Sequence, residues 1–185
     1  FYRINGGSTQ LKGVMSDVVV PDKYSYLDIG ERDLDQPMAW DKIPAASYKA
    51  WEGYIDFEST IAASKQRMAQ NEQLRLIEEN AKWLKKQQEN NKVSLFYADF
   101  VAKVKKDKER AAYFKKIDQY DSKLSFQSLD VEQTLLSQDA ELREKRDRWH
   151  RELAKDVYVE EAVNVLQDLK LRFAKPSMPL AAVKG

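Results

Sequence analysis

The chain has 185 residues, enough for one domain or for one domain with part of a second. Its 31 basic and 30 acidic side chains leave a net charge of +1, so no general field draws in nucleic acid or an anionic membrane, and any electrostatic recognition is local. The absence of cysteine excludes disulfides, thiolate nucleophiles and cysteine metal sites, and a single histidine excludes His-paired catalysis and multi-histidine metal sites.

The first elements read as β. Phe1, Arg3 and Asn5 alternate with Tyr2 and Ile4, Gly6-Gly7-Ser8 supplies a turn, and the β-branched run Val18-Val19-Val20 stops at Pro21. A two-stranded ribbon is marginal in water, so strands at 1–5 and 18–20 are expected to be the edge of a larger sheet. With no initiator Met, the chain reads as a piece of a longer one, and the lack of a leader carries no weight. Residues 1–21 are therefore expected to be poorly anchored or to pair with another copy.

Residues 22–43 form the expected connector, lying across a surface with Tyr24, Tyr26 and Trp40 as anchors. A helical domain is expected over 44–175, with about five helices, and a disordered tail over 176–185. It should open with a short helix at Tyr48 to Trp51 that ends at Gly53. Asp56 then caps a helix with Phe57, Ile61, Ser64 and Met68 on one face, fraying near Asn71. A second helix, from about Glu72 to Gln88, carries Leu74, Ile77, Ala81 and Leu84 in a narrow seam.

After the break at Asn90-Asn91-Lys92, Ser94 caps a third helix expected from Leu95 to Tyr120, burying Phe96, Phe100, Val101, Val104, Ala111, Phe114 and Ile117. A loop follows over 121–130. The next helix shows one stripe, Leu135, Leu142, Trp149 and Leu153. Asp156 caps the last helix, whose face is Val159, Ala162, Val163, Leu166, Leu169 and Phe173, ended by Pro176 and Pro179. The fold class is mainly α, with a short two-stranded β segment before the helices.

Chemistry-bearing patterns are few, and no catalytic, cofactor-binding or metal residue is assigned. His150 reads as a helix-surface side chain. Glu78-Glu79 and Glu160-Glu161 read as solvated helix faces rather than acid–base pairs. The run from Lys103 to Arg110, with Tyr113 and Phe114 beyond it, resembles a basic–aromatic nucleic-acid patch, but Asp107 and Glu109 interrupt it and a solvated face is the better reading. Gly6-Gly7-Ser8 leads towards a strand, not into the helix that a phosphate loop requires. The charged stretch from Glu141 to Glu152 is too short for a free coiled coil and is expected to pack within the domain.

Phe1-Tyr2-Arg3-Ile4-Asn5-Gly6-Gly7-Ser8-Thr9-Gln10-Leu11-Lys12-Gly13-Val14, followed by Asp17-Val18-Val19-Val20-Pro21, resembles the segment that closes the protease core of tail-specific proteases, the carboxy-terminal processing peptidases. Similar landmarks follow in order: Pro37-Met38-Ala39-Trp40-Asp41-Lys42-Ile43, Val93-Ser94-Leu95 and Tyr158-Val159-Glu160-Glu161-Ala162-Val163-Asn164. Phe96 departs from the pattern, standing where relatives often have Asn. The resemblance implies a C-terminal part of a periplasmic Ser–Lys endopeptidase that acts on proteins recognised by their C-termini through a PDZ domain, without metal or organic cofactor. The nucleophilic serine and basic lysine would lie upstream, and Lys12 is not assigned the base role. Implied partners are the rest of the protease chain, protein substrates and an adaptor; no nucleic acid and no membrane insertion are expected. A free-standing helical interaction module is the alternative. Native substrate and oligomeric state stay open.

Overall fold

A computed structural model of the chain describes residues 1–49 and 56–171, and only the backbone of residues 170 and 171. Among the described residues are six α-helices: α1 (Phe57–Gln70), α2 (Glu72–Glu89), α3 (Tyr97–Phe114), α4 (Asp130–Gln138), α5 (Ala140–Leu153) and α6 (Val157–Leu171). The mainly α class is the one expected. Of the short helix expected near Tyr48, residues 44–49 are irregular and the rest lies outside the described residues, as do Phe173, Pro176 and Pro179.

Polar side chains start α1 and α6 as the sequence indicates, but α3 begins at Tyr97 rather than Leu95 and has no side-chain cap, because the Ser94 hydroxyl accepts from the Phe96 amide at 3.2 Å, ahead of the helix. Asp56 accepts from the Ser59 amide at 2.9 Å, and Asp156 accepts from Tyr158 N at 2.8 Å. Two helix pairs join with no intervening loop. Asn71 ends α1 and caps α2 through the Leu74 amide, and Asp139 ends α4 and caps α5 through the Leu142 amide. Each side-chain oxygen satisfies a first-turn N–H that the helix itself leaves unpaired. Asp139 thereby divides what the sequence suggests is one helix.

The core is small. Leu74 and Ile77 of α2 meet Val157 of α6, with Val20, Met68, Ile117 and Tyr120 packed around them. Ala81 is also buried, and Phe114 closes the α2–α3 contact against Trp83 at a ring separation of 5.6 Å. The Leu74, Ile77, Ala81 seam is thus the one read from sequence, with Leu84 half-buried at its end.

Other faces depart from expectation. The last turns of the expected third helix tighten into a 3-10 segment, Lys115–Gln119. Of its expected core face only Phe114 is buried, with Val104 and Ile117 half-buried. Phe96, Phe100, Val101 and Ala111 are exposed; the first three lie at the start of α3, which extends past the end of α2 at Glu89 and is covered by no other element among the described residues. On α4 and α5, Leu136 is buried while Leu135, Leu142 and Trp149 are exposed. On α6, Val157 and Glu161 turn inward, whereas Ala162 and Leu166 face out. On α1 the buried side chains are Thr60 and Ser64, and Phe57 is exposed.

No strand forms among residues 1–21. Gly6, at φ 80°, closes a turn in which its N–H donates to the Arg3 carbonyl at 2.8 Å, so Tyr2 bridges to Ser8 almost at once. Leu11 and Gly13, both at positive φ, then turn the chain away, and Val18-Val19-Val20 meets no neighbouring strand. Val20 packs on the helical core instead. The opening residues are instead anchored within the molecule. Gly7 bridges to Lys42, Ile43 N donates to Gly6 O at 2.9 Å, Ala46 N to Ile4 O at 3.0 Å and Ser8 N to Asp41 O at 3.1 Å. Trp40 Nε1 donates to Ser8 O at 2.9 Å, the Tyr2 hydroxyl donates to Asp41, and Lys12 Nζ lies 4.3 Å from the Trp40 ring centre. This clasp joins the two ends of a 1–46 excursion.

The connector lies across α2 as expected. Tyr26 donates its hydroxyl to Glu78 at 2.8 Å, Lys85 pairs with Asp28, and the Tyr158 hydroxyl of α6 donates to the Pro21 carbonyl at 3.1 Å.

Candidate functional site

Between the connector and the helices lies a groove of about 710 Å³. Tyr24 from the connector, Ile77 and Trp83 from α2, Phe114 at the end of α3 and Tyr158 of α6 form its apolar walls, and Asn80 offers an amide. Lys23 and Lys115 stand at its edge with Asp22 and Asp118. Burial first, then the Asp22 charge, pushes the Tyr158 phenol up, so it remains a neutral donor. Such a lining suits an apolar side chain of a polypeptide; its cations and anions balance, and its walls carry no nucleophile paired with a base.

The only buried acid among the described residues is Glu161, which corrects the solvated reading of Glu160-Glu161. The residue is 5% exposed, and its carboxylate accepts from the hydroxyl of fully buried Ser64 at 2.6 Å. Arg67 donates Nη2 to Glu161 Oε1 at 2.7 Å and Nη1 to Asp168 Oδ2 at 2.6 Å, which raises the guanidinium pKa further, Glu161 contributing most. A serine beside a carboxylate invites a catalytic reading. Ser64 is closed to solvent and Glu161 already has an arginine partner, so the group ties α1 to α6. The sequence signal was present: Ser64 and Arg67 share a face of α1, and Glu161 and Asp168, seven residues apart, share one of α6.

The remaining candidates separate as follows. Glu160 accepts from the Tyr120 hydroxyl. Glu78 is held below the usual carboxylate range, first by Lys82 and then by the Tyr26 hydroxyl, while Glu79 pairs with Arg110. His150 is half-buried against Trp149, with ring centres 5.6 Å apart. In Gly6-Gly7-Ser8 the Gly6, Gly7 and Ser8 N–H groups go to Arg3 O, Asn5 Oδ1 and Asp41 O, which leaves none for an anion. Glu141 to Glu152 lies on an exposed face laced by Lys145–Glu141 and Arg148–Glu144 pairs. Within the run from Lys103 to Arg110, Asp107 accepts from Gln87 and Arg110 lies over Phe114. Among the described residues no group of three His, Asp or Glu side chains is placed to hold a metal, and no helix is long and apolar enough to cross a membrane.

Residues 24–171, from the groove's Tyr24 to the last turn of α6, match the family described as the C-terminal domain of tail specific protease. The tail-specific protease of Haemophilus influenzae is 36% identical over 123 residues, which is 64% of this chain and 17% of that protein. The chain thus spans only a small part of the length of that relative. With the match running through α1 to α6, the chain belongs to the family of C-terminal domains of tail-specific proteases.

Proposed function

We propose that this chain is the non-catalytic helical domain of a periplasmic serine endopeptidase that degrades or processes proteins recognised by their C-termini. The Ser–Lys pair acts from a core upstream. The observation that carries the reading is the clasp. Residues 2–8, within the stretch 1–21 that resembles the end of the protease core, are hydrogen-bonded to 40–46, and the chain between them is tied to α2 and α6 through Tyr26, Asp28 and Pro21. A rigid joint of this kind suits a wall or platform beside an active site, and the apolar groove gives that wall a place for a protein substrate or adaptor to rest.

The test compares this 185-residue chain with the intact protease on a protein substrate with an apolar C-terminus. The isolated chain should give no turnover under any condition in which the intact protease acts. Deleting residues 57–171 from the intact protease should leave cleavage of a short peptide and impair cleavage of the folded substrate. Turnover by the isolated chain that survives repurification would refute the non-catalytic assignment, and an unchanged rate on both substrates after the deletion would refute the platform role.

A further inference from the structure

The far end of the α2–α3 hairpin is unlike the rest of the surface. Gln87 donates to Asp107, and Trp83 meets Phe114, so the two helices run antiparallel and the turn between them is the hairpin's tip. Every residue from 88 to 102 is exposed. Val93, Leu95, Phe96, Tyr97, Phe100 and Val101 are among them, Leu95 at 100% and Phe96 at 67%. Behind this cluster come Lys103, Lys105, Lys106 and Lys108, none of which has an ion-pair partner among the described residues. Lys105 and Lys108 border Phe100, Val101 and Val104 along one side of α3. Residues 88–110 hold six basic side chains and four acidic ones, Glu89, Asp99, Asp107 and Glu109, so this end carries a net charge of +2 where the whole chain carries +1.

We propose that the tip docks on an anionic lipid surface, with its apolar residues at the acyl boundary and the lysines at the phosphates. Charge complementarity with the lysines selects anionic headgroups, and the apolar row of Phe100, Val101 and Val104 with Lys105 and Lys108 beside it suits the boundary between acyl chains and headgroups. The spacing fits as well. Tyr97 and Lys103 are six residues apart on α3, about 9 Å along the helix axis at 1.5 Å per residue, comparable with the roughly 5–10 Å depth to which interfacial apolar faces enter. Phe, Tyr and Leu ahead of lysine is the order in which a headgroup layer rewards them. The contact is shallow, since no helix of the described residues can span a bilayer. It departs from the expectation that the small net charge draws in no anionic membrane, which did not see the lysines and apolar residues brought to one tip. The proposal stands independently of the protease reading.

Co-sedimentation with vesicles of phosphatidylcholine mixed with phosphatidylglycerol, and of phosphatidylcholine alone, tests it on both this chain and the intact protease. Both proteins should bind the anionic vesicles and bind the zwitterionic ones far less. L95S/F96S should weaken binding at least about tenfold, and K105Q/K108Q about twenty-five-fold, at about fivefold per lysine. All four positions are exposed, so thermal melts should match the parent. Loss in the lysine variant alone would mean an unspecific polyanion patch and overturn the proposal. So would equal binding to both vesicle types, or binding by the isolated chain but not by the intact protease, whose remaining residues would then cover the tip. Absence of binding in every case would overturn it too and leave the tip to a protein partner.

Discussion

Arg67 grips Glu161 along one edge of its carboxylate, Nη2 2.7 Å from Oε1 and Nε 3.3 Å from Oε2, while Nη1 reaches across to Asp168. This fork joins α1 to α6, the most extensive helix pair in the domain. Glu161 is the buried member and Arg67 the one with an edge in solvent. Removing Arg67 therefore strands a buried charge, whereas removing Glu161 leaves Arg67 with Asp168 and water. Arg67→Ala should cost about 3 kcal/mol, at the low end for breaking a buried pair because Arg67 is partly exposed. Glu161→Gln should cost less, since the amide can still accept from Ser64. Urea unfolding of both variants checks the order, and equal losses would show that the fork is not what holds the pair.

Two glycines at positive φ give a matched comparison at the clasp. Gly6 sits at φ 80° with the Ile43 carbonyl oxygen only 2.0 Å from where a Cβ would be, while Gly13 sits at φ 60° with nothing within 4 Å. Gly13→Ala should cost about 1–2 kcal/mol, the left-handed backbone penalty alone. Gly6→Ala adds a collision with backbone and should open the clasp. Hydrogen exchange at the Ile43 and Ala46 amides should then accelerate in Gly6→Ala and stay protected in Gly13→Ala.

The core seam and the outer stripe make opposite predictions for the same substitution. Leu74 is 1% exposed, so Leu74→Ala should cost about 2–5 kcal/mol. Leu135, exposed on α4, should tolerate alanine within about 0.5 kcal/mol. Thermal or denaturant midpoints of the two variants decide it.

Tyr120 gives the domain an alkaline sensitivity. Burial, reinforced by the hydrogen bond to Glu160, pushes its phenol from the ordinary value of 10 up to about 12. Its folded pKa lies above its unfolded one, so the stabilising contribution is complete below pH 10 and is lost as pH rises towards about 12. In that window the unfolded chain releases the proton that the folded one keeps. The melting temperature should fall more steeply there in the parent than in Tyr120→Phe, and tyrosinate absorbance should show one fewer late-titrating group in the variant. Parallel curves would remove Tyr120 as the cause.

What was legible in the sequence was mostly local. Asp56 and Asp156 mark helix starts because a short polar side chain can satisfy first-turn amides from within its own few residues, whereas Asn71, read only as the fraying end of α1, also caps α2. The Leu74, Ile77, Ala81 seam was legible because α2 has neighbours on that side. The start of α3 carries an equally apolar pattern and has none among the described residues, so Phe96, Phe100 and Val101 misled: periodicity reports which face is apolar, not whether anything covers it. Residues 1–21 misled in another way. The β-forming composition is real, but Gly6, Leu11 and Gly13 turn the chain before a ladder can grow, and the partner is found near Lys42. The Ser64–Arg67–Glu161–Asp168 fork was hidden because charged residues on a helix are read as solvated by default, and only the meeting of α1 with α6 makes them internal.

Asn71 and Asp139 each end one helix and begin the next, and that economy leaves no slack. Inserting or deleting a single residue at either junction would turn everything downstream by about 100°, one step of a 3.6-residue helix. At Asn71 this would carry Leu74 and Ile77 away from Val157. Side-chain changes there cost a cap, but a change of length would scramble the core, so these two positions fix the reading frame of the bundle as well as its bends.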